Sequence, residues 1–392
     1  MSTSFKIFNV IGARPNIMKI APIVAEMRRY PELHPVVVHT GQHYGFAMSQ
    51  VFLEQLKLGE PDYNLQVGSG SHHAQTAQIL TAFGNLVQQE RPDLILVVGD
   101  VNSTLACSLA GAKECIPIAH VEAGLRSFDR SMPEEINRVV TDALSELLFT
   151  TEEAAAENLM REGVSEQKIF FAGNVMIDSL FAALEASRRS PILGQLGVKR
   201  RQYAVLTLHR PSNVDDSERL LATLNAVAQI SNDLPVIFPV HPRTADRLAE
   251  SKIANLRKWD GLVPIDNHGT WIMPPASYLD FLCLMDSSAM VITDSGGIQE
   301  ETTCLGVPCL TYRENTERPI TVTQGTNTVI GTAPENLVAE ARRVLSRSPY
   351  SHPAQPPLWD GHAATRIVTV IRKYLDDRVR KNNENVTSLI IS

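Results

Sequence analysis

The chain has 392 residues, 44% of them apolar and 20% charged, with a formal net charge of −7. That length exceeds what one hydrophobic core usually supports, so two domains are expected. The acidic balance argues against a nucleic-acid or anionic-membrane surface. No apolar run approaches the roughly 20 residues of a membrane helix and no secretory h-region is read. The five cysteines, Cys107, Cys115, Cys283, Cys304 and Cys309, form no CxxC, so reduced thiols and a cytoplasmic protein are expected.

In chain order, FKIFNVIG reads as a buried strand and ARPNIMKIAPIVAEMRR as the helix after it. This is a strand-turn-helix phosphate geometry without GxGxxG, which disfavours a dinucleotide. Arg14 and Lys19 lie in that turn and first helical stretch, where an Arg fork and a Lys point charge suit phosphate oxygens. They are equally readable as two solvated helix cations. HPVVVHTGQHY is the second strand, with Gln42 and His43 at its carboxyl end. Helix-like SQVFLEQLKL and TAQILTAFGNLVQQE follow, joined by GSGSHHAQ, whose His72 and His73 read as solvated loop residues. No HExxH or comparable ligand spacing occurs, so no catalytic metal is expected.

The stretch from Gly99 to Arg138 organises the chain. Asp100 closes the apolar run DLILVVGD and Glu122 closes IPIAHVE, with helix-like TLACSLAGAKEC between them. In such a β-α-β unit the strands lie about 4.8 Å apart and their carboxyl ends share one rim, the rim at which open α/β sheets bind ligands. A third acid follows in SMPEEINRVVTDALSELLF. Two readings of Glu134 are open. It stands three residues after Ser131, as in a capping box, with Pro133 in the first turn and Arg138 as an i,i+4 partner; or the helix start brings it to the rim of Asp100 and Glu122.

EEAAAENLMREG reads as a helix, KIFFAGN as a strand, DSLFAALEAS as a helix, and RRSPILGQLGVKRRQ as the linker. A second alternating set runs through strand YAVLTLH, helix SERLLATLNAVAQI, strand VIFPVH, helices TADRLAE and SYLDFLCLM, strand AMVITD, helix IQEETTCLG and strand PCLTY. The last helix, ATRIVTVIRKYLDDRVRK, is amphipathic, with NNEN fraying beyond it. His209, His241 and Asp294 each close a strand, and two polar rims imply a cleft between two domains. In TDSGGIQEE, Ser295, Gly296 and Gly297 join a strand to a helix start, whose free N–H groups and dipole suit a diphosphate. Glu301, one turn further in, suits two ribose hydroxyls.

Taken together, GARPNIMK, TGQH, GDVNSTLA, HVEAGLRSFDRSMPEEINR, GNVMIDSL, HRPSN, TDSGGIQEE and ENTERP resemble the non-hydrolysing UDP-N-acetylglucosamine 2-epimerases over nearly the whole chain. The resemblance implies an α/β glycosyltransferase-B fold with a cleft between two Rossmann-like domains. The first, 1–180, would carry the catalytic carboxylates, and the second, 181–362, would bind UDP; a helix in 363–392 would cross back to the first. It implies Asp100, Glu122, Glu134 and His209 as the catalytic set with Arg138 in support, and Arg14, Lys19 and His43 around the phosphates and sugar. Ser295, Gly296 and Gly297 would take the diphosphate, Glu301 the ribose, Phe281 a place near the uracil, and Arg318 a further phosphate or sugar contact. No cofactor is implied, and a homodimer is. The chain departs from many members at HRPSN, where they have HRREN, at GSGSHHAQ, which replaces a segment serving a regulatory UDP-sugar site, and at Ala276, where some have Gln near the base.

The chemistry fits several acids. Inverting C2 of the sugar removes a hydrogen that no carbonyl activates, so C1–O cleavage must precede or accompany deprotonation, giving UDP and a 2-acetamidoglucal. Protonation on the opposite face then needs a second proton-handling group, each worth about 10²–10⁴-fold. Alternatives are the same chemistry on a modified sugar such as UDP-2,3-diacetamido-glucuronate, a hydrolysing epimerase, or a glycosyltransferase of the same fold.

Overall fold

The structure is a computed structural model. It describes residues 4–41, 53, 56, 58–240, 248, 256–261, 264–265, 268–346 and 355–391. Gln42, His43 and His241, and most of SQVFLEQLKL and TADRLAE, lie outside the described residues.

The chain divides into two compact units, Met1–Ser179 with Pro357–Ser392, and Leu180–Pro356. The first holds a seven-stranded sheet in the order β3-β2-β1-β4-β5-β6-β7. Its strands are β1 (Phe5–Ile11), β2 (Leu33–His39), β3 (Tyr63–Asn64), β4 (Leu94–Val98), β5 (Ile118–Val121), β6 (Leu147–Thr150) and β7 (Ile169–Phe171). All pairings are parallel. The second unit repeats the plan in the order β10-β11-β9-β8-β12-β13-β14, with β8 (Ala204–Thr207), β9 (Val236–Pro239), β10 (Leu256–Lys258), β11 (Thr270–Met273), β12 (Met290–Thr293), β13 (Cys309–Thr311) and β14 (Asn327–Val329). These are the two Rossmann-like sheets expected.

Strands such as LILVV in β4 are apolar at every position because helices cover both faces of a parallel sheet. In the first unit Phe8, Val10, Val36, Val38, Ile79, Phe83, Ile95 and Val97 share one core. In the second, Leu206, Leu224, Val227, Phe238, Ile292 and Tyr312 do. Each order reverses beside the first strand of its unit, between β1 and β4 and between β8 and β12. Those switch points are where such sheets receive ligands.

The return to the first unit is anchored. Trp359 is buried and its Nε1 donates to Thr151 O at 2.9 Å. Asp178 accepts from Ala363 N at 3.1 Å and Ala364 N at 2.8 Å, at the start of the helix Ala363–Ile391. Further along that helix Arg372 bonds Glu32 and lies 4.0 Å from the Tyr30 ring centroid.

Three expectations change. The helix His72–Glu90 begins at His72, whose Nδ1 lies 3.3 Å from Asn102 Oδ1, so His72 and His73 are first-turn residues of a helix and not loop residues. The segment read as a linker packs within the second unit: it contains the helix Ile192–Leu196, and Arg188 and Arg200 both pair with Asp286. The last helix continues through NNEN to Ile391. Among the described residues no helix is long and apolar enough to cross a membrane.

Candidate active site

At the first switch point the turn after β1 is tied to the end of β4. Asn16 Oδ1 accepts from Ala13 N at 2.9 Å and from Gly12 N at 3.3 Å, while its Nδ2 donates to Val98 O at 3.0 Å. Arg14 and Lys19 belong to the helix that starts here, Arg14–Met27, with Pro15 in its first turn. Lys19 is buried and its ammonium is bonded to Glu122 Oε2, so the structure brings Lys19 to an acid.

Glu122 follows β5 with φ +69°, in the left-handed region. A non-glycine residue held there costs roughly 1–3 kcal/mol, and such residues cluster at functional sites. Gly99 makes room for the pair: at φ +67°, a Cβ there would lie 3.3 Å from Lys19 Nζ and 3.4 Å from Glu122 Oε2.

Asp100 is half-buried after β4 and is bonded to Arg138 Nη1. Arg138 is buried and also donates to Glu135 Oε2, at 3.0 Å from Nε and 2.6 Å from Nη2, and to Ser127 Oγ at 3.4 Å. Glu135 also accepts from Ser127 N and Phe128 N, both at 2.9 Å. Burial alone would raise its carboxyl, but the Ser127 N–H and the Arg138 guanidinium hold it below the usual carboxylate range.

The capping-box reading of Glu134 therefore falls. The helix Pro133–Leu144 has Met132 at its N-cap with no side-chain cap, and Ser131 Oγ donates to Asp129 Oδ1 at 2.6 Å. The Glu134–Arg138 ion pair falls too, because Arg138 turns to Glu135 and Asp100. Glu134 is half-buried in the first helical turn and has no side-chain partner among the described residues.

Beneath the rim, buried His120, Asp142 and Arg126 form a polar chain reaching exposed Glu162, which the sequence reading does not single out. His120 is fully buried, with Nδ1 2.6 Å from Asp142 Oδ1 and Nε2 2.9 Å from Gly99 O. Asp142 Oδ2 accepts from Gly124 N at 3.0 Å and lies 2.7 Å from Arg126 Nη2, and Arg126 is bidentate to Glu162. Burial would raise the Asp142 carboxyl, but His120 and Arg126 outweigh it and hold it low. The only signal for this chain in the sequence was its membership of HVEAGLRS and the helix after it.

In the second unit His209 follows β8 and Asp294 follows β12. Fully buried Asp294 accepts from His209 N at 3.1 Å and from Asn213 Nδ2 at 3.0 Å, and its Oδ1 is 2.8 Å from His209 Nδ1. With Nδ1 engaged and the side chain 62% exposed, Nε2 is the ring atom left to meet a ligand. Burial opposes the Asp294 charge, yet His209 keeps the carboxyl below its usual range.

Ser295 is the N-cap of the helix Gly296–Leu305 and makes no side-chain cap bond, leaving first-turn N–H groups that suit an anion. A Cβ on Gly296 would lie 2.6 Å from Arg318 Nη1, which puts Arg318 beside that helix start. Arg318 is nonetheless bonded to Glu300 at 2.6 Å and Glu317 at 2.7 Å. Glu317, flanked also by Arg313 at 2.7 Å, is held far below the usual range by these guanidiniums despite its burial. Glu301 is buried on the same helix and accepts from Tyr278 Oη at 3.3 Å, and Phe281 is half-buried on the adjoining helix Tyr278–Ser287. Among the described residues no cluster of His, Cys, Asp and Glu could hold a metal ion.

Residues 25–372 match the family described as UDP-N-acetylglucosamine 2-epimerase. The chain belongs to that family. A UDP-N-acetylglucosamine 2-epimerase homolog of Methanococcus maripaludis is 41% identical over 370 residues, covering 94% of this chain and 99% of its own. The UDP-2,3-diacetamido-2,3-dideoxy-D-glucuronate 2-epimerase of Pseudomonas aeruginosa is 38% identical over 347 residues, 88% of this chain and 93% of its own. A crystal structure of the Methanocaldococcus jannaschii UDP-GlcNAc 2-epimerase, in complex with UDP-GlcNAc and UDP, aligns with TM-score 0.83 and 38% identity over 94% of this chain and 99% of its own. The two-sheet α/β architecture is thus that of UDP-N-acetylglucosamine 2-epimerases, an isomerase family.

Proposed function

We propose that the protein interconverts UDP-N-acetylglucosamine and UDP-N-acetylmannosamine by eliminating UDP across C1 and C2 and adding it back to the 2-acetamidoglucal. One observation carries this most: Asp100 and Glu122 follow the neighbouring parallel strands β4 and β5, each bonded to its own buried cation. Cations so placed orient both carboxylates. Glu134, which has no side-chain partner among the described residues, is the third acid.

The three acids share the roles of base, acid and stabiliser of charge at C1. As the C1–O bond lengthens, positive charge at C1 acidifies the C2 hydrogen; a carboxylate takes that proton and UDP leaves with the bonding pair. Return of a proton to the other face of C2, with UDP re-adding at C1, completes the inversion. His209 through Nε2, Arg14, and the N–H groups at Ser295, Gly296 and Gly297 neutralise the departing diphosphate. Glu301 takes the ribose, Phe281 lies by the uracil, and His43 serves the phosphate and sugar. Arg318, through Glu317 and Glu300, holds the Gly296 helix start. The protein works as a cytoplasmic homodimer, which light scattering of the purified chain checks. The GARPN turn after β1 offers no nicotinamide fingerprint, in keeping with inversion by elimination.

The test is proton NMR of the protein with UDP-N-acetylglucosamine in heavy water. Appearance of the manno epimer with deuterium at C2 supports the function. Free N-acetylmannosamine as the main product would point to a hydrolysing enzyme, and unchanged substrate would refute the assignment. The Pseudomonas relative and the HRPSN, GSGSHHAQ and Ala276 departures favour a second reading, the same inversion on a 3-acetamido uronate. Comparing kcat/KM on the two nucleotides decides between them.

A further inference from the structure

We infer that the buried His120–Asp142 couple is a positioning device that fixes the spacing of the two acid-bearing turns. The inference rests on the assignment of Asp100 and Glu122 to the proton chemistry, and adds to it residues that do not themselves meet the reacting atoms. His120 lies on β5, two residues before Glu122, and its Nε2 meets the carbonyl of Gly99, the residue before Asp100. Asp142 grips the other ring nitrogen with one oxygen and Gly124 N, two residues past Glu122, with the other. Both ring nitrogens are thus engaged, one by a carboxylate and one by a backbone carbonyl. One rigid ring and one carboxylate therefore join the turn after β4 to the turn after β5.

These turns have other ties as well: Ala123 N donates to Phe149 O at 3.1 Å, Gly124 O accepts from Asn158 Nδ2 at 3.0 Å, and the Asp100 and Glu122 side chains are held by Arg138 and Lys19. Gly99 has no side chain and sits at φ +67°; its N–H donates to Val121 O at 3.0 Å, and Asp100 O accepts from Asn137 at 2.8 Å. An apolar side chain at 120 could fill the volume but could not hold Gly99 O. A buried ionic chain is seldom the most stabilising choice for a core, whereas its directional bonds do locate the groups they touch. Further along, Arg126 lies between the carboxylates of Asp142 and Glu162. A shift of about 1 Å at a reacting group costs about 10²-fold in rate, so the couple acts on turnover through geometry.

The test compares wild type, His120→Asn and Asp142→Asn in epimerisation of UDP-N-acetylglucosamine, with UDP binding measured separately by calorimetry. The expected result is a kcat lowered about 10–100-fold, with KM and UDP affinity within about threefold of wild type. In an Asp100→Glu background, where the carboxylate is already displaced, His120→Asn should cost less than about threefold more. Should His120→Asn fail to fold, the near-isosteric Asp142→Asn carries the same comparisons. Wild-type kcat in the variants overturns the inference, as does a loss that multiplies in full onto Asp100→Glu or one that tracks lost UDP affinity. An inactive wild type would bring down the functional assignment and this inference together; an active wild type with unaffected variants brings down this inference alone.

Discussion

Replacing Lys19 by Met should destabilise the first unit far more than a surface lysine would. Lys19 is 7% exposed and Glu122 2%, so the variant takes the ammonium away from a buried carboxylate. Removing one partner of a buried pair costs roughly 3–5 kcal/mol. For a folding unit of 150–250 residues, at about 2–4 °C per kcal/mol, that is a fall of roughly 6–20 °C in Tm. Protonation of that buried carboxylate offsets part of the loss, which should therefore be smaller at pH 5 than at pH 8. Lys19→Met/Glu122→Gln, with neither charge present, should recover more than half of the loss. Differential scanning calorimetry of wild type, both singles and the double at the two pH values closes the cycle. A Lys19→Met single within about 2 °C of wild type, or a double no more stable than that single, would refute the buried pair as the organiser of this turn.

Asp100→Asn should abolish epimerisation while leaving UDP affinity within a few-fold, since nucleotide binding is assigned to the second unit; calorimetric loss of UDP binding would break that division. Acid should unfold the protein through Asp142 and Asp294, whose folded carboxyls lie below their ordinary values. Depressed pKa values contribute stability above the unfolded value near 4 that is lost as pH falls through the folded value. Tm should therefore drop below about pH 4, less steeply in Asp142→Asn and Asp294→Asn, and parallel curves would contradict the assignment. Of the five thiols Cys115 is exposed, while burial pushes the Cys304 thiol up to about 12 and Cys309 to about 11. Native protein should label rapidly at Cys115, with the others reacting only after denaturation, as intact-mass spectrometry would count.

The alternation of strands and helices was legible because a strand covered on both faces is an unbroken apolar run, and the first polar residue after it marks the rim. That is how Asp100, Glu122, His209 and Asp294 could be placed on strand ends from their immediate neighbours. The short edge strands Tyr63–Asn64 and Asn327–Val329 offer no such run, and they were not read. The partners were hidden for another reason. Arg138 could have met Glu134 or Glu135, and the rotation of one helix against β4 decides for Glu135 and Asp100. His120 and Asp142 are 22 residues apart, and only the packing of a helix on β5 makes them neighbours. Lys19 looked like a phosphate cation by its place in a helix start, and the structure gives it to Glu122.

Cleavage at C1 and proton exchange at C2 in the same turnover is what the acids and the nucleotide site are assigned to achieve. UDP-N-acetylglucosamine carrying oxygen-18 in the bridge between C1 and the β-phosphate, incubated with the protein in heavy water, reads both events. Scrambling of the label into non-bridging β-phosphate positions, together with deuterium at C2 of both epimers, is the predicted result. Epimer formed with the label still wholly in the bridge would contradict it.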